Sequence, residues 1–277
     1  MAGSQARQLS VELLADGLKT RRVGRRILLL PQVDSTNTYA LETVATSGGA
    51  AADGTVIFTE HQTAGRGRLG RPWHSPIGAS LLMTALLWEN DDNERASSYW
   101  CMAAAVAVVR GIEAATDLDP MIRWPNDVYL DDRKLAGILV EVRRPIPIDE
   151  EKTPGAFVAI GIGVNCLQHP GHFPEDIRGQ ATSLEMASAL AVDRVAIAQA
   201  IMRALDDVSG ASGPISDARL AAAWTERSGD IGAATTLVSG GQQFGGRIVD
   251  VHPQYGLVLQ LETGARKHFD PATTSRL

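Results

Sequence analysis

Apolar residues recur along this chain with two periods, and the switches between them mark out its elements. From Ser10 to Thr20, Val11, Leu13, Leu14 and Leu18 keep helical spacing and predict one short helix. Ile27 to Val33 reads as a strand. Ser35 then stands as the N-cap of a helix reaching about Ser47, because a hydroxyl there can satisfy a first-turn N–H. Thr55 to His61, rich in β-branched residues and preceded by Asp53-Gly54, predicts a second strand. Gln62 to Gly78 breaks both periods with four glycines, two prolines and three arginines, and is expected to be irregular. Ala79 to Trp88 reads as a buried strand and Ser97 to Thr116 as a long apolar helix capped by Ser97. Met121 to Arg143 alternates as strand, turn at Asp131-Asp132-Arg133, and strand. Phe157 to Asn165 is a further strand, and Asp193 to Val208 and Pro214 to Arg227 are helices.

After Ser228 the pattern changes. Short β runs at Thr236–Val238, Gly246–Val251, Leu257–Leu261 and Arg266–Phe269 are separated by glycine-rich turns, which predicts a small all-β, SH3-like barrel. Upstream, strands and helices do not strictly alternate and hairpin-like pairs are frequent. The expected fold is therefore α+β, with a mixed sheet carrying packed helices rather than a doubly wound one. Three units follow: an N-terminal helix and basic hinge over 1–26, a catalytic domain over 27–228, and the small barrel over 229–277. The basic run of Lys19, Arg21, Arg22, Arg25 and Arg26 reads as a solvated hinge. The stretch from Arg143 to Gly155, with Pro145, Pro147 and Pro154, reads as a surface loop.

The 277 residues carry 26 Lys+Arg against 32 Asp+Glu, a formal charge of −6, which argues against broad nucleic-acid binding. The apolar runs fall short of the ~20 residues that span a bilayer. Met1 to Ser10 has no apolar core of a signal peptide. Two cysteines, Cys101 and Cys166, cannot build a disulfide framework, so a cytoplasmic setting is expected, with neither DNA nor membrane as partner.

The irregular loop concentrates the chemistry. Gly65, Gly67 and Gly70 spell G-x-G-x-x-G, yet a dinucleotide site needs a helix to begin there, and Pro72 and Pro76 forbid it. What remains is a loosened backbone presenting Arg66, Arg68 and Arg71 at a strand end. Guanidinium forks suit carboxylates and phosphates, and three cations on one loop favour ordering around a polyanion. Lys134, at the start of a strand with small apolar residues after it, can neutralise charge developing on a phosphoryl or acyl oxygen. Pro125 is expected to mark a bulge or edge in a hairpin, and the glycines of Gly161-Ile162-Gly163 a close approach to the sheet. Cys166, His169 and His172 have ligand-like types without a second cluster, so they are not expected to hold zinc. His61, His74 and Ser75 lack the carboxylate that nucleophilic catalysis would need.

Taken together the motifs resemble those of biotin–protein ligases. The likeness rests on Asp34-Ser35-Thr36-Asn37, on the run from Glu60 through Trp73, on Trp124-Pro125-Asn126-Asp127, on Lys134 through Glu141, and on Gly161 through Asn165. It extends over about Ile27 to Leu277. The resemblance implies that biotin and MgATP give biotinyl-5′-AMP and pyrophosphate, and that the acyl group then passes to a lysine of a biotin carboxyl carrier protein. It assigns Lys134 and Arg66 to catalysis and places biotin against Ser35, Thr36, Asn37, Gln62, Arg66, Gly67, Arg68, Lys134 and Gly137. It places ATP against Arg68, Arg71, Trp73, Asn126, Asp127 and Asn165, and names no metal ligand for Mg²⁺. Asp127 is the candidate acceptor of the incoming lysine's proton.

Arg123 stands where the family usually has a lysine, so a planar fork replaces a point charge there. With 26 residues before the first strand, the chain is expected to be a ligase-only form, monomer or homodimer. An edge along Phe157 to Ile162 is the candidate pairing surface. Two other readings stand beside it: a lipoate or octanoate attachment enzyme, and a non-catalytic biotin-binding regulator.

Overall fold

The computed structural model describes residues 8–90, 97–144, 155–209 and 215–277. The stretch 145–154, most of the loop expected between Arg143 and Gly155, and Pro214 lie outside these residues. The short helix α1 (Val11–Ala15) is capped by Ser10, whose side chain accepts from the Leu13 amide, and stops earlier than its apolar spacing suggests. Strand β1 (Arg26–Leu30) follows. Then comes a continuous helical run over 36–48, formed by α2 (Thr36–Tyr39), a π-helical turn (Ala40–Val44) and α3 (Ala45–Gly48). Strands β2 (Thr55–Thr59) and β3 (Ser80–Glu89) flank the irregular loop.

Helix α4 (Ser97–Ala115) includes Ser97 as its first residue. Three strands, not two, fill the next segment: β4 (Met121–Arg123), β5 (Asp127–Leu130) and β6 (Arg133–Arg143). Strand β7 (Ala156–Asn165) precedes the helices α5 (Leu184–Ala187), α6 (Arg194–Ser209) and α7 (Asp217–Glu226).

The first seven strands form one mixed sheet in the order β1-β2-β3-β7-β6-β5-β4, in which only β1 and β2 run parallel. The edge expected along Phe157 to Ile162 does not exist, because β7 pairs with β3 on one side and β6 on the other. Alternation along the strands sends Val56, Phe58, Leu81, Met83, Val158 and Ile160 into the larger core with α4 and α6. Ile57, Leu86, Phe157 and Ala159 face the opposite way, onto Ala40, Leu41, Val44 and Ala45 of that helical run and Ala52 of the 3₁₀ turn (Gly49–Ala52) after it. Helices α4 and α6 approach so closely at Gly111 that a Cβ there would lie 2.8 Å from the Ile201 backbone nitrogen.

Beyond Ser228 the chain forms β8 (Ala234–Ser239), β9 (Gln242–His252), β10 (Gly256–Leu261), β11 (Arg266–Phe269) and β12 (Thr274–Arg276). They build a separate antiparallel sheet in the order β11-β10-β9-β8-β12. The basic run before β1 is docked rather than solvated. The amides of Arg21, Arg22 and Val23 all donate to the Asp206 carboxylate, and the Arg22 guanidinium pairs with Asp53 and Glu89.

Candidate active site

Strand register lays out the floor of the site. Thr84, Gly161 and Leu139 stand in one row across β3, β7 and β6, and Leu82, Gly163 and Gly137 stand in the next. Side chains of a row share one face, and glycines leave two hollows in it. Asn37 fills the first: a Cβ on Gly161 would lie 2.4 Å from its Oδ1. The Trp73 indole fills the second, since Cβ atoms on Gly163 and Gly137 would lie 2.8 and 3.0 Å from its ring.

The polar end of the site is a connected network. Gln62 Oε1 accepts from the Thr36 amide at 2.8 Å and from its hydroxyl at 3.1 Å. The fully buried Thr84 hydroxyl lies 2.8 Å from Thr36 Oγ1 and 2.7 Å from Asn37 Oδ1. Ser35 occupies the N-cap position, but its side chain makes no capping bond. The helix start is tied instead to Gln62, a partner that local spacing does not reveal.

The loop between β2 and β3 is a narrow hairpin. Gly67 N donates to Arg71 O and Trp73 N to Gly65 O, with Arg66 and Pro72 bridged, and Leu69 (φ 56°) and Gly70 (φ 72°) at the tip. Buried Arg194 bonds Glu60 at 2.7 Å and the Ser80 carbonyl at 3.2 Å, clamping both feet of the loop together. Two of the three arginines have protein partners. Arg66 Nη2 pairs with Glu141 at 3.0 Å. Arg68 donates to Asn126 Oδ1 and to the carbonyls of Pro271 and Thr274 on the way into β12. Burial pulls the Arg68 guanidinium below its ordinary pKa, with nearby Asp127 acting the other way.

Lys134 emerges beside a register shift between β5 and β6, where Val128 faces Ala136 and Tyr129 faces Lys134. Such an extra residue re-aims a side chain, and here the ammonium lies 2.7 Å from Asp127 Oδ1 and 5.8 Å from the Trp73 ring. The extra residue is Leu135, directly after Lys134. Pro125 sits in the turn between β4 and β5 instead, after a cis peptide bond. Asn126 clips that turn to β6 through Ile138. Arg123 lies over the Tyr129 ring and pairs with Asp132. Asn165 is buried, donating to Thr182 O and accepting from Gln168.

These elements enclose one cleft of about 740 Å³. Ser35, Thr36, Asn37, Gln62, Arg66, Gly67, Arg68, Arg71, Trp73, Asn126, Asp127, Lys134, Gly137 and Asn165 all line it, so the structure brings together the residues that the resemblance assigned to biotin and ATP. Arg276 and Leu277 line it too, brought there by the second sheet. Arg276 is aimed by Asp230 at 2.5 Å, whose other oxygen accepts from the Trp124 amide. Nothing in the local pattern of a C-terminal Ser-Arg-Leu marks this. Cys166 is buried away from water, and among the described residues no His, Cys, Asp and Glu cluster suits a metal ion.

Residues 29–165 match the model of the biotin/lipoate A/B protein ligase family. The biotin–[acetyl-CoA-carboxylase] ligase of Mycobacterium tuberculosis is 33% identical over 241 residues, covering 86% of this chain and 84% of that protein. The chain belongs to the biotin–protein ligase family. It is also 36% identical over 195 residues to the bifunctional ligase/repressor BirA of Bacillus spizizenii, covering 70% of this chain but only 57% of that longer protein. Among solved structures, the biotin protein ligase of Aquifex aeolicus in complex with biotin and ATP shares the fold, with TM-score 0.69. It is 24% identical and is matched over 91% of this chain and 100% of its own.

Proposed function

We propose that this chain joins biotin to a lysine of a biotin carboxyl carrier protein, using ATP and passing through biotinyl-5′-AMP. The observation that carries the reading is a cleft in which an uncharged polar network abuts Arg66, Arg68 and Lys134. Thr36, Asn37 and Gln62 offer the donors and acceptors that a ureido ring requires. Biotin's carboxylate and the α-phosphate repel each other, and cations fixed between them offset that repulsion and the charge that grows on the phosphoryl oxygens. Lys134 is the group best placed to do so. It needs only to turn from Asp127 toward the phosphoryl oxygen, leaving Asp127 free to take a proton from the acceptor amine. Asn126, Asp127 and Asn165 form the nucleotide side, and the unpaired, buried Trp73 N–H is a donor that a ligand acceptor would satisfy.

Asp127 is the only Asp or Glu side chain lining the cleft among the described residues. Asp127 is the residue that would hold Mg²⁺ brought in with ATP, and the ion would supply charge neutralisation. The hairpin over Lys134 keeps water from the mixed anhydride. The acceptor is a carrier of the carboxylase type, by likeness to the M. tuberculosis protein's named substrate. The test is incubation with labelled biotin, MgATP and a purified carrier domain. Label on the carrier lysine is the expected result. A carrier left unlabelled while biotin still binds would favour a regulator, and label from octanoate or lipoate but not biotin would favour the other branch of the family.

A further inference from the structure

Glu141, on β6 just outside the cleft, takes no part in the chemistry described above, yet two different elements converge on it. Arg66 of the hairpin donates through Nη2 to both carboxylate oxygens, at 3.0 and 3.2 Å. Asn37 of α2 donates through Nδ2 to Oε2 at 2.8 Å and to Leu139 O at 3.1 Å. The carbonyl of Leu139 accepts only, and Thr84 donates to Asn37 Oδ1, so the amide has one orientation that satisfies all its neighbours.

Only Nη2 of the Arg66 fork is engaged by Glu141, which leaves Nε and Nη1 for a ligand's anion. With Arg66 43% and Glu141 30% exposed, the ion pair alone is weak. Its effect comes from geometry: one carboxylate fixes the hairpin and the polar end of the cleft to the same strand.

We propose that Glu141 is a positioning residue that braces Arg66 over the ligand and sets the Asn37 amide, so that it governs how long biotinyl-AMP is retained. This rests on the proposed ligase reading. Its requirement is specific, because the carboxylate gives Arg66 both oxygens and a charge while sharing Oε2 with Asn37, whereas Gln has one oxygen, no charge and an NH₂ donor in place of the other oxygen. With its oxygen kept at the Oε2 position, Glu141→Gln removes the charge and the Oε1 contact to Arg66 and turns an NH₂ donor toward that guanidinium, whereas Glu141→Asp keeps both oxygens and the charge on a shorter stem.

The experiment loads parent, Glu141→Gln, Glu141→Asp, Arg66→Ala and the Arg66→Ala/Glu141→Gln double variant with biotin and MgATP. It follows loss of labelled biotinyl-AMP after dilution, alongside biotin Kd and Tm. Glu141→Gln is expected to speed release roughly threefold to tenfold, with Asp nearer the parent and Tm little changed. In the Arg66→Ala background the same change should add nothing to release and leave biotin affinity as in Arg66→Ala alone, because the Gln oxygen still accepts from Asn37. Release unchanged in Glu141→Gln and Glu141→Asp, or multiplicative effects of the two substitutions on release, would overturn the inference. A parent that makes no biotinyl-AMP would remove the ligase reading and this inference with it, whereas a parent that makes it keeps the two questions apart.

Discussion

At one end of the cleft, Thr36, Asn37, Gln62 and Thr84 already bond one another across a helix, a loop and a buried strand. At the other end, Lys134, Arg66 and Arg68 are held by groups they would exchange or share: an aspartate, a glutamate and backbone carbonyls. The first end is rigid before any ligand arrives, and suits a neutral ring whose hydrogen bonds do not change during reaction. The second keeps its charges paired until phosphate and carboxylate enter. An unpaired cation cluster would repel itself, so provisional partners hold the site together without committing it. A reactive site thus divides its labour between fixed recognition and transferable charge.

Lys134→Ala removes the central cation from the transferable end and is the strongest way to test that division. Adenylate formation should fall roughly a hundredfold to a thousandfold, with biotin affinity nearly unchanged, as single-turnover kinetics beside calorimetry would reveal. If biotin binding fell as much as the rate, the two ends would not be separable. Arg66→Ala should spare adenylation more but let biotinyl-AMP escape about tenfold faster, measured by trapping the released intermediate. An intermediate held as tightly as by the parent would show that the hairpin does not cover it.

Thr84→Val strikes the rigid end. Its hydroxyl is fully buried between Thr36 and Asn37, so its loss leaves polar neighbours unsatisfied. Biotin binding should weaken by about 1–2 kcal/mol, roughly fivefold to thirtyfold. The rate of adenylation with biotin bound should change little.

The smallest effect concerns the thiols. Burial pushes both Cys101 and Cys166 up from 9.0 to about 12. The folded chain then holds protons that the unfolded chain releases, so the contribution is fully present below pH ~9 and lost as pH rises from about 9 toward 12. Denaturant midpoints should drop over that range, and at pH 8 a thiol reagent should label neither cysteine until the chain unfolds. Rapid labelling of Cys101, which donates to the Pro125 carbonyl, would mean that the turn carrying Asn126 and Asp127 opens readily.

Much of this was legible in the residues themselves. Gly65 through Trp73 declares an irregular cationic loop because glycine, proline and arginine act locally. The mixed sheet is legible because frequent hairpin signals argue against strict crossover units. Partners distant in sequence are not legible in this way. That Phe157–Ile162 lies inside the sheet depends on which strands flank it, and its alternation would look the same at an edge. The bulge at Leu135, beside Lys134, needs the register of β5 against β6. Glu141 appears only as the last residue of the motif that begins at Lys134, and its role emerges when Asn37 and Arg66 meet it. Arg276 reaches the cleft only because a second sheet delivers it.

The central claim is that this cleft forms a bond between a carboxylate and the α-phosphate, and isotope exchange between ATP and radiolabelled pyrophosphate reads that step alone. The account predicts exchange that needs biotin and Mg²⁺, proceeds without any carrier, and disappears in Lys134→Ala. Exchange that is absent with biotin present, or that runs equally well without it, would contradict the account.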